Sequence, residues 1–187
     1  MSIATEKTHV TLEELLASED AGRFELVDGQ LEEVFSTNLT AKVNVDLLTL
    51  LKLHCKTHGL GQVLASGAYY RCFGDDGLGA RKPDVSFISR ERLPPNWLDD
   101  AYFTIPPDLA VEVISTHDLA SSVRRKTEEY LRAGVNTVWE IDPESRTVLI
   151  HRQDGTTQRL HGDGTLSGES VLPGFTCKLA EFFPIRG

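Results

Sequence analysis

The chain has 187 residues, 40% of them hydrophobic and 25% charged, which is typical of one globular domain with its own core. The net charge of -9 argues against a nucleic-acid partner. Residues 1–35, however, hold nine acids and two bases, and so carry most of the excess negative charge. No apolar run suits a membrane helix, no secretory signal is visible, and three scattered cysteines without a CxxC pair argue against disulfides and structural zinc. We therefore expect one cytoplasmic domain over residues 1–187 with reduced thiols.

The N-terminal part predicts a short helix followed by a β-hairpin. Thr11 followed by Glu14 is a capping-box pattern, which predicts a helix over residues 11–18. Asp28-Gly29 lies between two β-prone runs, and this dipeptide is a strong signal for a two-residue hairpin turn.

The middle of the chain combines a long helix with short strands. Residues 38–58 carry leucines and valines on a wide helical face, and Gly59 and Gly61 end that helix. Residues 91–107 contain four prolines and are expected to form a loop. Strands are expected in this part at residues 62–66, 68–73, 84–88 and 108–114.

The C-terminal part predicts a crossover unit and a β-rich tail. A helix over residues 119–133 ends at Gly134, two strands follow at 136–141 and 147–152, and a last helix or turn lies near 178–183. A strand, a helix and a strand in succession favour parallel pairing. The predicted fold class is therefore α/β, a mixed central sheet with helices on both faces and antiparallel hairpins at its edges.

Lys126 lies on the apolar face of the predicted helix at 119–133. At about 100° per residue, this face is formed by Leu119, Val123, Tyr130 and Ala133. A buried ammonium group is costly unless an acidic partner meets it. The position of Lys126 therefore predicts a nearby carboxylate.

Two acidic residues could supply that partner and hold a metal ion. Glu112 interrupts the apolar run 109–114, and Asp84 begins another apolar run after Pro83. Carboxylates at the ends of neighbouring strands can bind Mg²⁺ together with waters and phosphate oxygens. Lys126 could then orient or activate a water and stabilise the developing charge.

The chain resembles a known nuclease family at these residues. Lys82-Pro83-Asp84 and Glu112-Val113-Ile114 resemble the PD-(D/E)XK nuclease superfamily, except that Ile114 stands where the lysine is expected. The surrounding sequence resembles the Uma-type restriction endonuclease family, which has the restriction-endonuclease-like core. The matching segments are Phe24–Gly29, Pro83–Phe87, Glu112–Ser115, Lys126–Tyr130, Ala133–Val135 and Trp139–Pro143.

The resemblance implies a Mg²⁺- or Mn²⁺-dependent endonuclease that acts on DNA. It assigns Asp84, Glu112 and the carbonyl of Val113 to the metal, and it makes Lys126 the catalytic lysine, moved from the strand to the next helix. Glu25 matches an early acidic position and is either an outer contact of the metal or a solvent-facing strand residue. A homodimer is expected by analogy, since cutting two strands needs two sites.

The chain also departs from the family pattern. Thr40 stands where relatives often carry a histidine, Ser115-Thr116-His117 replaces the usual Ser-Pro, and Glu140 takes a position that is normally apolar. His117 lies close to the expected site, although loop histidines are more often surface residues.

Two other functions fit the same fold. A catalytically degenerate DNA-binding or assembly protein is favoured by the acidic balance and by the lack of a recognisable DNA-reading element. Basic clusters at Arg81-Lys82, Arg90/Arg92 and Arg124-Arg125 are either docking points for a polyanion or solvated surface charges, and for any single residue the second is the usual case. A small-molecule hydrolase or sensor would instead need an enclosed pocket.

Overall fold

A mixed sheet between two long helices forms the centre of the structure, a computed structural model that describes residues 9–73 and 78–185. The helices are α1 (Leu12–Leu16), α2 (Asn38–His58) and α3 (Ala120–Arg132), and short 3₁₀ helices cover Ala21–Arg23 and Leu179–Glu181. The strands are β1 (Phe24–Val27), β2 (Gln30–Glu33), β3 (Gly61–Ala65), β4 (Tyr70–Phe73), β5 (Gly79–Arg81), β6 (Val85–Ser89), β7 (Leu109–Val113), β8 (Thr137–Asp142), β9 (Thr147–Arg152), β10 (Thr157–Leu160), β11 (Thr165–Ser167) and β12 (Thr176–Lys178).

The central sheet has the strand order β10-β9-β8-β7-β6-β3. Its β7–β8 pair is parallel and is connected through α3, whereas the other neighbours pair antiparallel. A second sheet has the order β2-β1-β5-β4, and β11 pairs with β12. The predicted α/β class, the crossover unit and the mixed sheet are confirmed.

The two long helices cover opposite faces of the central sheet. Side chains alternate along β7, so Leu109, Val111 and Val113 share a hydrophobic cluster with α2, whereas Ala110 packs with Tyr130 of α3. This alternation places Glu112 on the same face as α3, because it is two residues after Ala110.

Local sequence signals explain the ends of several elements. The capping box of Thr11 and Glu14 is present, although α1 ends at Leu16 and not at residue 18. At the hairpin, Asp28 and Gly29 have positive φ angles of 50° and 74°, the conformation that a tight turn of type I′ requires. Helix α2 has the predicted bounds, and Gly59 ends it with a φ of 63°.

The prediction that Leu119 belongs to the apolar face of α3 is wrong. Leu119 is the N-cap of α3 and is 68% exposed. The face that packs on the sheet is formed further along, where Thr127 and Tyr130 are buried. Strand β5 is also absent from the predicted elements, since its three residues are too few to show a periodic pattern.

Residues 91–107 form a loop, as predicted, apart from an isolated bridge between Phe103 and Tyr70. Within residues 9–73 and 78–185, no helix has the length and apolar character to cross a membrane.

Candidate active site

Strands β6 and β7 bring Asp84 and Glu112 to the same end of the sheet. Val85 pairs with Val111 in antiparallel register, so the next position places Asp84 opposite Glu112. The backbone N–H of Val113 donates to Asp84 Oδ2 over 2.8 Å. The two acids that the sequence indicated therefore lie together.

Lys126 extends toward β6 and β7 from the face of the central sheet that α3 covers. Its Nζ donates to Glu112 Oε2 over 2.8 Å and lies 3.0 Å from Glu25 Oε1. Its side chain is 15% exposed, so the ammonium does not extend into solvent. The predicted contact with Glu112 is present, and Glu25, not Asp84, is its second ion-pair partner within the described chain.

Glu25 is buried, and its interpretation as a solvent-facing strand residue is wrong. Besides Lys126, it accepts hydrogen bonds from the Lys82 backbone N–H at 2.8 Å and from Arg81 Nη1 at 3.1 Å. Glu25 is buried because its strand, β1, pairs with β2 on one side and with β5 on the other. This pairing places Glu25 beside the residues that connect β5 to Asp84.

Arg81 and Lys82 are buried as well, so they cannot serve as a docking point for a polyanion. Arg81 is 3% exposed and donates to Glu129 Oε2 over 2.9 and 2.7 Å as well as to Glu25. The Lys82 ammonium donates to the carbonyl of Gly22. Both cations therefore hold the framework of the site together.

Tyr130 and Asn44 also belong to the site, and sequence reasoning did not assign either to it. Tyr130, one helical turn after Lys126, donates its hydroxyl to Glu112 Oε1 over 2.6 Å. Asn44 of α2 donates its Nδ2 to Asp84 Oδ1 over 3.1 Å. The i, i+4 spacing of Lys126 and Tyr130 was a usable signal, since both side chains lie on one helical face.

The charges of the site shift the pKa values of its members. Burial raises the pKa of Glu112 against the opposing pull of Lys126, and the neighbouring Asp84 and Glu25 carboxylates raise it further. Burial also raises the pKa of Asp84 despite the hydrogen bond from Val113. For Glu25, burial is outweighed by Lys126 and Arg81, and its pKa is lowered.

The ammonium form of Lys126 is stabilised. Burial disfavours this charge, but the carboxylates of Glu112 and Glu25 outweigh burial and raise the pKa of Lys126. Lys126 therefore stays protonated and acts as a hydrogen-bond donor at neutral pH.

The oxygen ligands of the site suit a hard divalent cation. In the described ranges, no group of three or more histidine, cysteine, aspartate or glutamate side chains has a metal-binding arrangement. Two carboxylates supplemented by water and substrate oxygens are sufficient for Mg²⁺. The buried Oδ1 of Asn44, adjacent to Asp84, has no hydrogen-bond partner and is an acceptor for a cation or its water.

The site opens into a cavity of about 360 Å³. Arg81 and Lys126 are the two cations that line it, against the six carboxyl groups of Glu25, Glu32, Glu33, Asp84, Glu112 and Asp118. His117, which the sequence placed close to the expected site, also lines this cavity. The excess of acids would repel a phosphodiester unless a cation were bound.

A family model matches most of the chain. The model of the family described as "Uma2: putative restriction endonuclease" matches residues 11–180. The chain belongs to the Uma2 family. A putative nuclease belonging to DUF820 from Anabaena variabilis ATCC 29413, a solved crystal structure, matches this Uma2 chain with a TM-score of 0.80 and 20% identity, over 93% of this chain and 97% of that one. At 20% identity this likeness shows only that the two chains share a fold. No protein of curated function matches the chain.

Two departures of this Uma2 chain have structural explanations. Thr40, at the position where relatives often carry a histidine, completes the capping box of α2 with Thr37. Glu140, at a normally apolar position, accepts a hydrogen bond from Thr127 over 2.5 Å and lies 3.2 Å from His151 Nε2. Glu140 thereby ties α3 to β8 and leaves Glu112 and Lys126 unaltered.

Proposed function

We propose that this Uma2 protein hydrolyses DNA phosphodiester bonds with the help of Mg²⁺ or Mn²⁺. The observation that carries the proposal is the contact of Lys126 with Glu112, beside Asp84, at the base of an acidic cavity. Asp84, Glu112 and the carbonyl of Val113 would hold the cation. When bound, such an ion supplies a water of lowered pKa and neutralises charge on the phosphate.

The protein's own residues prepare this site. Asn44 and the Val113 N–H orient the two oxygens of Asp84, while Tyr130 and Lys126 orient those of Glu112. Because Lys126 stays protonated, its role is to donate a hydrogen bond to the developing negative charge of the phosphate and not to accept a proton. The family resemblance implies a 5′-phosphate and a 3′-hydroxyl as products.

DNA cleavage by variants of the site tests the proposal. Purified protein with Mn²⁺ should cut DNA, and Lys126→Ala should slow cleavage by roughly 100- to 1,000-fold, the usual effect of losing a donor to developing charge. Arg132→Ala is the matched control, since Arg132 is an exposed base on the same helix. Cleavage by Lys126→Ala and Glu112→Ala at the parent rate would show that the site assignment is wrong.

A catalytically degenerate DNA-binding or assembly protein is the second candidate. It is favoured by the hydrogen bonds that Lys126 and Tyr130 donate to the two oxygens of Glu112, since such contacts also stabilise a fold without any catalysis. This alternative predicts no stabilisation by Mn²⁺ that depends on Asp84. A homodimer would follow if both strands of a duplex are cut, and sedimentation of the purified protein tests it.

A further inference from the structure

The mouth of the acidic cavity carries exposed apolar side chains. Phe35, in the link between β2 and α2, is 52% exposed, and Leu119 at the start of α3 is more exposed still. Both line the cavity that contains Asp84 and Glu112. Large apolar groups exposed at the rim of a polar pocket are typical of a binding surface.

Two rings from separate segments meet at this mouth. Phe35 and His117 have ring centroids 5.7 Å apart, with planes inclined by 45°. The loop of His117 is held by two local hydrogen bonds, from the Ser115 N–H to Asp118 Oδ2 at 2.7 Å and from the His117 N–H to Ser115 Oγ at 3.2 Å. The ring of His117 is therefore presented by an ordered turn.

The charges of the rim disfavour a second phosphate group there. Arg81 and Lys126 are already bonded to carboxylates, and Glu32, Glu33 and Asp118 line the same cavity. A neutral, flat and aromatic group suits this rim better than an anion. Nucleobases are such groups, and they stack on aromatic side chains whatever their sequence.

We propose that Phe35 and His117 form a stacking site for an unpaired nucleobase next to the phosphodiester held by the acidic cavity. This inference rests on the proposed function and names its substrate class, which is single-stranded DNA or an unpaired DNA end. Within a duplex both faces of a base are covered by its neighbours, so an internal base can stack on Phe35 only after it has left the helix.

Binding of a cleavage-resistant oligonucleotide tests the stacking site. The probe is a fluorescent thymidine oligomer with phosphorothioate links, measured in Mn²⁺ as a single strand and as a duplex. The single strand should bind more tightly, and Phe35→Ala and Phe35→Leu should weaken it on the order of 10- to 100-fold, whereas Phe35→Tyr should keep the affinity. Leu98→Ala is the control, because Leu98 is exposed outside the cavity.

A second probe separates stacking from phosphate binding. Single strands with one abasic nucleotide, placed in turn along the oligomer, should bind the parent protein more weakly at one position. Phe35→Ala should not distinguish the abasic strand from the intact one. Equal binding of the intact strand by Phe35→Ala and the parent, or loss of a dimer in Phe35→Ala on sedimentation, would overturn the stacking site. The proposed nuclease would survive both results if the parent still cuts DNA, whereas a parent that neither binds nor cuts DNA in Mn²⁺ would overturn both.

Discussion

Lys126 Nζ lies 2.8 Å from Glu112 Oε2, although the two residues belong to different elements and are 14 positions apart in the chain. In the superfamily pattern the lysine is two residues after the glutamate, at the position of Ile114. Here the helix that follows the strand delivers the ammonium group to the same carboxylate. The contact with Glu112 is thus made from the helix after the strand, at a chain position other than the one that the superfamily pattern gives the lysine.

Removal of the Lys126 charge should destabilise the protein as well as slow cleavage. In Lys126→Ala the buried carboxyls of Glu112 and Glu25 lose their shared partner, and breaking a buried ion pair costs about 3 to 5 kcal/mol. Urea unfolding measures this loss. Adding Glu112→Gln to Lys126→Ala should restore part of the stability, and full additivity of the two losses would contradict a direct coupling.

Arg81 should be equally important for stability and should not tolerate lysine. Its guanidinium contacts Glu25 and Glu129 at once, a planar geometry that a lysine ammonium does not reproduce. We expect Arg81→Lys and Arg81→Met both to lower the free energy of unfolding by more than about 2 kcal/mol. Wild-type stability in Arg81→Lys would contradict this role, and Arg132→Ala again serves as the exposed control.

Much of the fold was predictable from local signals. The hairpin at Asp28-Gly29 and the bounds of α2 depend on turn glycines and on one helical face, which the sequence displays directly. Strand β5 pairs with the preceding strand β4 and also with β1, which is distant in the chain, and no local pattern predicts that pairing.

The residues of the site likewise include some that local sequence signals predicted and some that they did not. Asp84, Glu112 and Lys126 were found because each places a charge in apolar surroundings. The burial of Glu25, and the roles of Arg81 and Asn44, arise from contacts between segments about 40 to 60 residues apart, which one sequence does not reveal.

Stability without metal should fall as the pH rises through the titration of Glu112. Its pKa is raised in the folded state, so folding favours the protonated form. Its contribution is full below the pKa of the unfolded chain and is lost as the pH passes the folded value. Urea unfolding between about pH 5 and about pH 9 measures this, and Glu112→Gln should remove that part of the decline.

The affinity for Mn²⁺ should rise over the same pH range, because binding needs the ionised Glu112 and releases its proton. Calorimetric titration in two buffers of different ionisation enthalpy detects that proton. An affinity that does not change with pH would contradict a role for Glu112 as ligand.

Asn44 should support the metal site through Asp84. Asn44→Ala removes two atoms of the Asn44 amide: the Nδ2 that donates to Asp84, and the Oδ1 that has no hydrogen-bond partner. The loss of such a supporting residue costs on the order of tenfold or more in metal affinity. Calorimetry with Mn²⁺ measures the change. Thr49→Ala, at an exposed position on the same helix, should bind Mn²⁺ like the parent.

The central claim is that Asp84 and Glu112 share one divalent cation. Anomalous diffraction from crystals soaked in Mn²⁺ tests it most directly, with Asp84→Asn crystals soaked in parallel. We predict one anomalous peak between the two carboxylates in the parent protein and a weak peak or none in Asp84→Asn. Ordered parent crystals without a peak between Asp84 and Glu112 at saturating Mn²⁺ would contradict the claim.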